Sequence, residues 1–151
     1  MAMRVIAIDC DYKRIHVWDT RDGMLFKNEP DWDVVLDRLV LVPDKTPILL
    51  EIANPRIHAK SSHITTGEAS NRMKWALYNL SFAHFLQKRL CDQLVVAPSS
   101  VWTNGYGKKE RQIMSGATAT THDLREAQTM AWFYKRQPGK WLTLPAFVER
   151  L

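Results

Sequence analysis

The sequence has little of what marks a secreted, membrane or zinc-finger protein. It contains two cysteines, Cys10 and Cys91, and no Cys or His pair with finger-like spacing, so we expect free thiols rather than a disulfide or a zinc site. No apolar run approaches the roughly 20 residues that cross a membrane. The first apolar segment is short and ends in acid, unlike a signal peptide. These absences predict a cytoplasmic protein without a membrane partner.

The chain also lacks internal repeats, linkers and low-complexity segments. We expect residues 1–151 to form a single domain, because this is an ordinary length for one. Charge is unbalanced: 21 Lys and Arg stand against 16 Asp and Glu, which gives a net charge of +5. A basic balance favours a polyanionic partner such as nucleic acid, but it is equally typical of a soluble protein with a solvated basic face.

Two short apolar runs stop at carboxylates. Val5–Ile8 is followed by Asp9 and Asp11, and Ile48–Leu50 is followed by Glu51. Such runs are typical of strands that are buried on both faces. A buried strand that ends in acid brings a charge to the edge of the core, which is costly unless a cation or a hydrogen-bond network receives it. A solvated strand end is the alternative for Glu51.

The remaining pattern predicts an α/β chain that opens with an antiparallel meander. Residues 14–19 alternate as a strand, residues 21–23 signal a turn, and residues 24–26 return as a third strand. Apolar spacing and Pro or Gly punctuation predict the other elements. These are helices over 31–41, 68–90, 108–114 and 120–137, strands at 48–50 and 94–97, a loop over 99–107 and a short helix around Phe147.

The helix predicted over 68–90 is apolar around much of its circumference. Such a helix needs two surfaces to pack against. One is the sheet of its own domain, and the other is a second subunit, unless the helix is buried wholly within the monomer. Its aromatic line is our candidate dimer interface. The two apolar lines are Met73, Leu77, Leu80 and Ala83, and Trp75, Tyr78, Phe82 and Phe85.

The last helix opens with two acids. Asp123 and Glu126 are three residues apart, so they share one helix face, which Met130 and Phe133 continue toward the core. A structural role is the alternative, because acids in a first turn suit the helix dipole and Thr120 with Asp123 resembles a capping arrangement. If this helix packs over the carboxyl ends of two parallel strands, four acids can converge: Asp9, Glu51, Asp123 and Glu126.

Four converging carboxylates cannot all stay ionised without cations. Ligand sets made only of oxygen suit hard ions such as Mg²⁺ or Mn²⁺. A basic stretch without clear periodicity, residues 54–70, carries Arg56 and Lys60. Long loops in small domains are often functional. His58 and His63 in the same stretch are five residues apart, a poor ligand spacing, and we interpret them as exposed loop histidines.

The ordered set of acids resembles that of the RuvC family of Holliday junction resolvases, within the ribonuclease H-like superfamily. The resemblance covers the chain from Met3 to about Tyr134. Residues 94–114 are similar to the family's strand, Gly-x-Gly loop and Lys-rich helix, and residues 123–127 look like its Asp-x-x-Asp-Ala motif. Three positions depart from the pattern: Cys10-Asp11 replaces Pro-Gly, Trp102 replaces a Lys, and Glu126 replaces the last Asp.

The resemblance implies a ribonuclease H-like mixed five-stranded sheet, with an antiparallel meander of the first three strands and helices on both faces. It implies a homodimeric, Mg²⁺-dependent endonuclease of DNA recombination and repair, in which Mn²⁺ substitutes for Mg²⁺. Its substrate would be a four-way DNA junction, cut symmetrically on two strands. The alternatives are a superfamily nuclease acting on flaps, forks or RNA–DNA hybrids, and a junction-binding protein without catalysis.

The same resemblance implies roles for individual residues. Two ions per site would be held by the four acids, with Asp9 bridging both ions, Glu51 and Glu126 on one and Asp123 on the other. Asp11 and His122 are candidates to join this site. The implied catalytic residues are Asp9, Glu51, Asp123, Glu126 and Lys109. The implied DNA-binding residues are Arg56, Lys60, Lys108, Lys109 and Arg111.

Overall fold

The computed structural model describes residues 3–54 and 66–151. Its strands are β1 (Ile6–Asp11), β2 (Arg14–Asp19), β3 (Gly23–Glu29), β4 (Ile48–Glu51), β5 (Leu94–Ala97) and β6 (Leu142–Thr143). Its α-helices are α1 (Trp32–Leu39), α2 (Thr66–Leu90), α3 (Ser99–Trp102), α4 (Lys108–Ser115), α5 (His122–Arg136) and α6 (Leu144–Glu149). Short 3₁₀ turns cover Cys91–Gln93 and Pro138–Lys140.

The strands of the described residues form one mixed sheet in the order β3-β2-β1-β4-β5-β6. The pairs β1–β2 and β2–β3 are antiparallel, whereas β1–β4 and β4–β5 are parallel. The predicted fold class is therefore confirmed: a mixed sheet led by an antiparallel meander, with the ribonuclease H-like order of its first five strands. The sixth strand was not predicted, because two residues are too short to show an alternating pattern.

Helices cover both faces of the sheet. Side chains alternate along β1, so Ile6, Ile8 and Cys10 face one layer, and Ala7 with the acids faces the other. The first layer is packed by α1, α2 and α6, and the second by α3 and α5. Both cysteines are free, as predicted, with Cys10 buried and Cys91 exposed. Within the described ranges, no helix combines the length and apolar character of a membrane span.

The loop predicted over residues 99–107 is wrong at its start. Residues 99–102 form the helix α3 directly after Pro98. This turn carries Trp102 into the core, where its ring packs against Phe133 and Trp141 at centroid distances of 5.7 and 6.3 Å. A single helical turn is too short to show helical periodicity in a sequence.

The aromatic line of α2 packs within the chain. Trp32 of α1 lies 5.2–5.4 Å, between ring centroids, from Tyr78, Phe82 and Phe85, and its Nε1–H donates to the Tyr78 hydroxyl at 2.8 Å. These rings therefore have an intramolecular partner, and their role as a dimer interface stays a prediction. The exposed apolar side chains of α2 belong to the other line, where Leu77 is 59% exposed.

One buried side chain on α2 fixes the end of β4. Asn79 is fully buried, accepts a hydrogen bond from the Ala53 N–H at 2.8 Å and donates to the Glu51 carbonyl at 2.7 Å. Buried backbone groups need partners of this kind where a strand ends. The backbone of Glu51 is therefore held in place from the face opposite to that of its carboxylate.

Candidate metal centre

Two strand ends place the first two acids side by side. β1 and β4 are parallel, and Ile8 pairs with Leu50, so Asp9 and Glu51 follow at the same level on neighbouring strands. Because alternation puts Ile8 and Leu50 into the layer of α1 and α2, the next residue on each strand turns to the opposite face. Both carboxylates therefore emerge on the sheet face that α5 covers.

The helix α5 brings the second pair of acids to the same edge. It begins at His122 after Thr121, whose hydroxyl accepts from the Leu124 N–H at 3.3 Å as an N-cap. Asp123 lies in the first turn and Glu126 one turn later. All four acids that we predicted to converge line one cavity, together with Asp11, Lys108 and Arg111.

Within this cavity the acids fall into two groups. Asp9, Asp11 and Asp123 form a tight group with the imidazole of His16, in which one potential ligand atom from each residue lies within 4.8 Å of the others. His122, the other candidate to join the site, is exposed at the start of α5 and is not a member of this group. The described structure thus brings Asp11 to the site and leaves His122 outside.

Glu51 and Glu126 form the second group, and each is held by a neighbouring side chain. Trp102 donates its Nε1–H to Glu51 at 2.9 Å. Arg111 pairs with Glu126 at 2.6 Å, and Gln112 donates to the other oxygen of Glu126 at 3.1 Å. The departure from the family pattern at Trp102 therefore has a structural consequence, since an indole N–H holds an acid of the site.

The predicted basic residues are distributed unevenly around the cavity. Lys108 and Arg111 line it, since residues three apart share a helix face, whereas Lys109 lines a neighbouring groove with Gln112 and Ile113. The guanidinium of Arg111 is occupied by Glu126 and lies 5.3 Å from the Trp102 ring centroid. Two predicted DNA-binding residues, Arg56 and Lys60, lie outside the described residues, as do His58 and His63.

Burial and mutual repulsion disturb the ionisation of the acids. Burial, followed by the negative charges of Asp11, Glu51 and Asp123, raises the pKa of Asp9 well above its usual value. Burial also raises the pKa of Glu51, although the Trp102 hydrogen bond opposes it. Burial pushes the pKa of Asp11 up as well, but the nearby His16 ring and Asp123 outweigh it and lower that pKa.

Sequence reasoning missed His16. This residue of β2 lies directly opposite Asp9 in the antiparallel register and is 1% exposed. Its alternation with Ile15 and Val17 is visible in the sequence, but its approach to the acids depends on the register of the hairpin. The available signal was the register of the hairpin. A two-residue turn at residues 12–13 pairs Asp9 with His16.

The donor chemistry fits a hard divalent cation. Carboxylate oxygens are the ligands that Mg²⁺ and Mn²⁺ prefer. Burial and the neighbouring acids disfavour the charge of Asp9, and a bound cation would offset this cost.

Comparison with known proteins gives a weak structural similarity. No protein-family model matches the chain, and no curated protein matches it. The solved structure of T. thermophilus RuvC in complex with Holliday junction substrate is similar over 95% of this chain and 100% of that chain, at 15% identity and a TM-score of 0.49. At these values, family membership is not established.

We predict that Asp9→Asn stabilises the metal-free protein at neutral pH. A carboxyl whose folded pKa is raised contributes most to stability below its unfolded pKa, and this contribution is lost as the pH rises through the folded pKa. Asparagine removes the buried charge and can still donate to Asp123. We expect the free energy of unfolding in EDTA at pH 8 to rise by about 1 kcal/mol. For a chain of this size, the unfolding temperature should then rise by roughly 2–4 °C.

The gain should shrink toward pH 4, where wild-type Asp9 is protonated. Mg²⁺ should raise the unfolding temperature of the wild type and not that of Asp9→Asn, because a ligand stabilises only the state that binds it. The exposed Asp37→Asn on α1 is the matched control and should change neither result. An Asp9→Asn protein that is less stable at pH 8 would contradict a desolvated charge at this position.

A second prediction concerns the Arg111–Glu126 pair. Arg111→Gln should destabilise the metal-free protein by about 3–5 kcal/mol, because it leaves a buried carboxylate without its cation. Lys109→Gln removes the same charge from the exposed side of the same helix and should have little effect. If Glu126 is a metal ligand, Mg²⁺ will raise the unfolding temperature of Arg111→Gln more than that of Lys109→Gln. Equal increments would place Glu126 outside the ligand set.

Proposed function

We propose that this protein is a divalent-metal-dependent endonuclease that cuts branched DNA, in the manner of the RuvC family. The observation that carries the proposal is the meeting of Asp9, Glu51, Asp123 and Glu126 around one cavity at the carboxyl edge of the sheet. These residues come from three separated parts of the chain. Only the strand order and the packing of α5 bring them together.

The proposed metal ligands are Asp9, Glu51, Asp123 and Glu126, with Mg²⁺ as the cofactor and Mn²⁺ as its substitute. A bound divalent ion would activate water for attack on phosphorus and neutralise charge on the phosphate and the leaving oxygen. Two ions per site is the number that the RuvC resemblance implies. The Arg111 guanidinium already neutralises Glu126, so a second ion would have to compete with it for that carboxylate.

The basic residues of α4 are proposed to contact the DNA backbone. Lys108 faces the acid cavity and can neutralise the scissile phosphate. Lys109, which the RuvC resemblance implies as a catalytic lysine, lines a neighbouring groove, and we propose that it binds flanking phosphates. Arg56 and Lys60 are proposed as further backbone contacts. Phosphate contacts of this kind set affinity and its salt dependence without reading base sequence.

The proposed substrate is a four-way DNA junction, and the proposed active form is a homodimer. The support for the substrate is the ordered set of motifs that resembles the RuvC family, together with the basic balance of the chain. A junction cut on two strands at symmetric positions requires two active sites related by a two-fold axis. The exposed apolar side chains of α2, such as Met73 and Leu77, offer more surface to a second subunit than its aromatic rings, which are buried or half-buried.

Cleavage of a labelled four-way junction in Mg²⁺ tests the proposal. We expect paired symmetric nicks by the wild type and by the control Asp37→Asn. Asp9→Asn should bind the junction with wild-type affinity and fail to cut, because its loss affects the cation and not the basic surface. Binding should weaken steeply as salt rises.

Three results would contradict the proposal in different ways. Cutting of flaps, forks or RNA–DNA hybrids, with junctions left intact, would assign a different substrate to the same metal chemistry. Tight, salt-sensitive binding without cleavage in Mg²⁺ or Mn²⁺ would make the protein a binder. Cleavage by Asp9→Asn at the wild-type rate would show that the active site lies elsewhere.

A further inference from the structure

His16 is a buried side chain whose polar tip points into the acid group. It is 1% exposed, and its Nε2 lies 3.5 Å from Asp11 Oδ2 and 3.4 Å from Asp123 Oδ2. Neither contact has the geometry of a hydrogen bond. Among buried side-chain nitrogen and oxygen atoms of the described residues, this Nε2 is the one left without a partner. Burying such an atom without a partner costs free energy, which points to a role for this side chain at the site.

The other ring nitrogen identifies the tautomer. Nδ1 of His16 accepts a hydrogen bond from the Asn28 N–H at 3.2 Å. A nitrogen that accepts carries no proton, so the neutral ring carries its proton on Nε2. The Nε2–H therefore faces the two carboxylates as a donor, and this nitrogen has no free lone pair with which to bind a metal.

The backbone of β3 is shaped to make this contact. The register between β2 and β3 shifts around His16: Ile15 pairs with Glu29, whereas Val17 pairs with Phe26. Two residues of β3 therefore lie opposite the single residue His16. Asn28 lies in this bulge with φ of 56°, a left-handed conformation that Asn tolerates better than most residues. Its N–H is thereby turned to the imidazole ring instead of continuing the strand ladder. The hairpin thus holds the ring in one orientation.

Asp11 completes the arrangement from β1. It lies two residues beyond Asp9 on the same strand and therefore on the same face of the sheet. Its side chain is 33% exposed and lines the cavity, so an oxygen is accessible to an ion while another faces His16. Asp11 is therefore a carboxylate that lines the cavity and has a histidine ring behind it, which are features of a supported metal ligand.

We propose that Asp11 is a metal ligand beside Asp9 and Asp123, and that His16 is a positioning residue whose Nε2–H faces the carboxylates of Asp11 and Asp123 and orients them. The proposal rests on the proposed function, since it presumes that the cavity takes a divalent cation. Its consequence is a primary ion position formed by three aspartates, on the side of the cavity away from Arg111. His16 acts there without contacting the cation.

Metal binding measured without DNA tests the ligand. Titration calorimetry with Mn²⁺ should give an affinity for Asp11→Asn that is lower by tenfold or more. His16→Gln, whose amide N–H can replace Nε2–H, should stay within about threefold of the wild type. His16→Leu keeps the bulk and removes the donor, and should lose about 10–100-fold. An Asp11→Asn protein with wild-type affinity would overturn the proposal, as would equal losses in His16→Gln and His16→Leu.

Nuclear magnetic resonance of ¹⁵N-histidine in the wild type tests the tautomer independently of any variant's folding. We expect Nε2 to be protonated and Nδ1 to be bare, both in EDTA and with saturating Mg²⁺. Loss of the Nε2 proton on Mg²⁺ addition would make His16 a ligand and overturn its positioning role. A wild type that binds neither Mg²⁺ nor Mn²⁺ would contradict the proposed function itself. A wild type that binds the metal and cuts DNA, together with an Asp11→Asn protein of unchanged metal affinity, would contradict only this inference.

Discussion

The desolvated charge of Asp9 is the constraint on which the site depends. This residue follows three buried positions of the central strand β1, so its carboxylate is delivered to the edge of the core and not to open solvent. Its main electrostatic neighbours are the acids Asp11, Glu51 and Asp123, which add repulsion to the cost of burial. A fold optimised for stability alone would place an apolar or amide side chain here. The proposed cation would offset both costs.

The surrounding side chains respond to this constraint in two ways. Glu51 and Glu126 receive strong internal donors, an indole N–H and a guanidinium, and are restrained in the metal-free protein. Asp9, Asp11 and Asp123 face the imidazole of His16, whose proposed role is to orient the last two. The cavity therefore has one side where Arg111 offsets the charge of Glu126 and another side formed by three aspartates. This asymmetry distinguishes the structure from a simple ring of four equivalent acids.

Local patterns predicted much of the fold and of the acid set. Short apolar runs that end in acid marked β1 and β4, and the three-residue spacing of Asp123 and Glu126 put both on one face of α5. The meander and strand order followed from turn signals and from the parallel placement of those two runs. Features that depend on tertiary register escaped prediction: His16 needs the β1–β2 pairing, and its orientation needs a bulge in β3. The Arg111–Glu126 pair likewise needs α4 packed on α5, which no local spacing encodes.

Anomalous diffraction from crystals soaked in Mn²⁺ is the most direct test of a cation bound at this sheet edge. We expect a manganese peak in contact with the carboxylates of Asp9 and Asp123, bordered by Asp11, and no such peak in crystals of Asp9→Asn. A wild-type crystal without manganese at this edge, at concentrations that support cleavage, would contradict the site. So would a peak of equal height in both proteins.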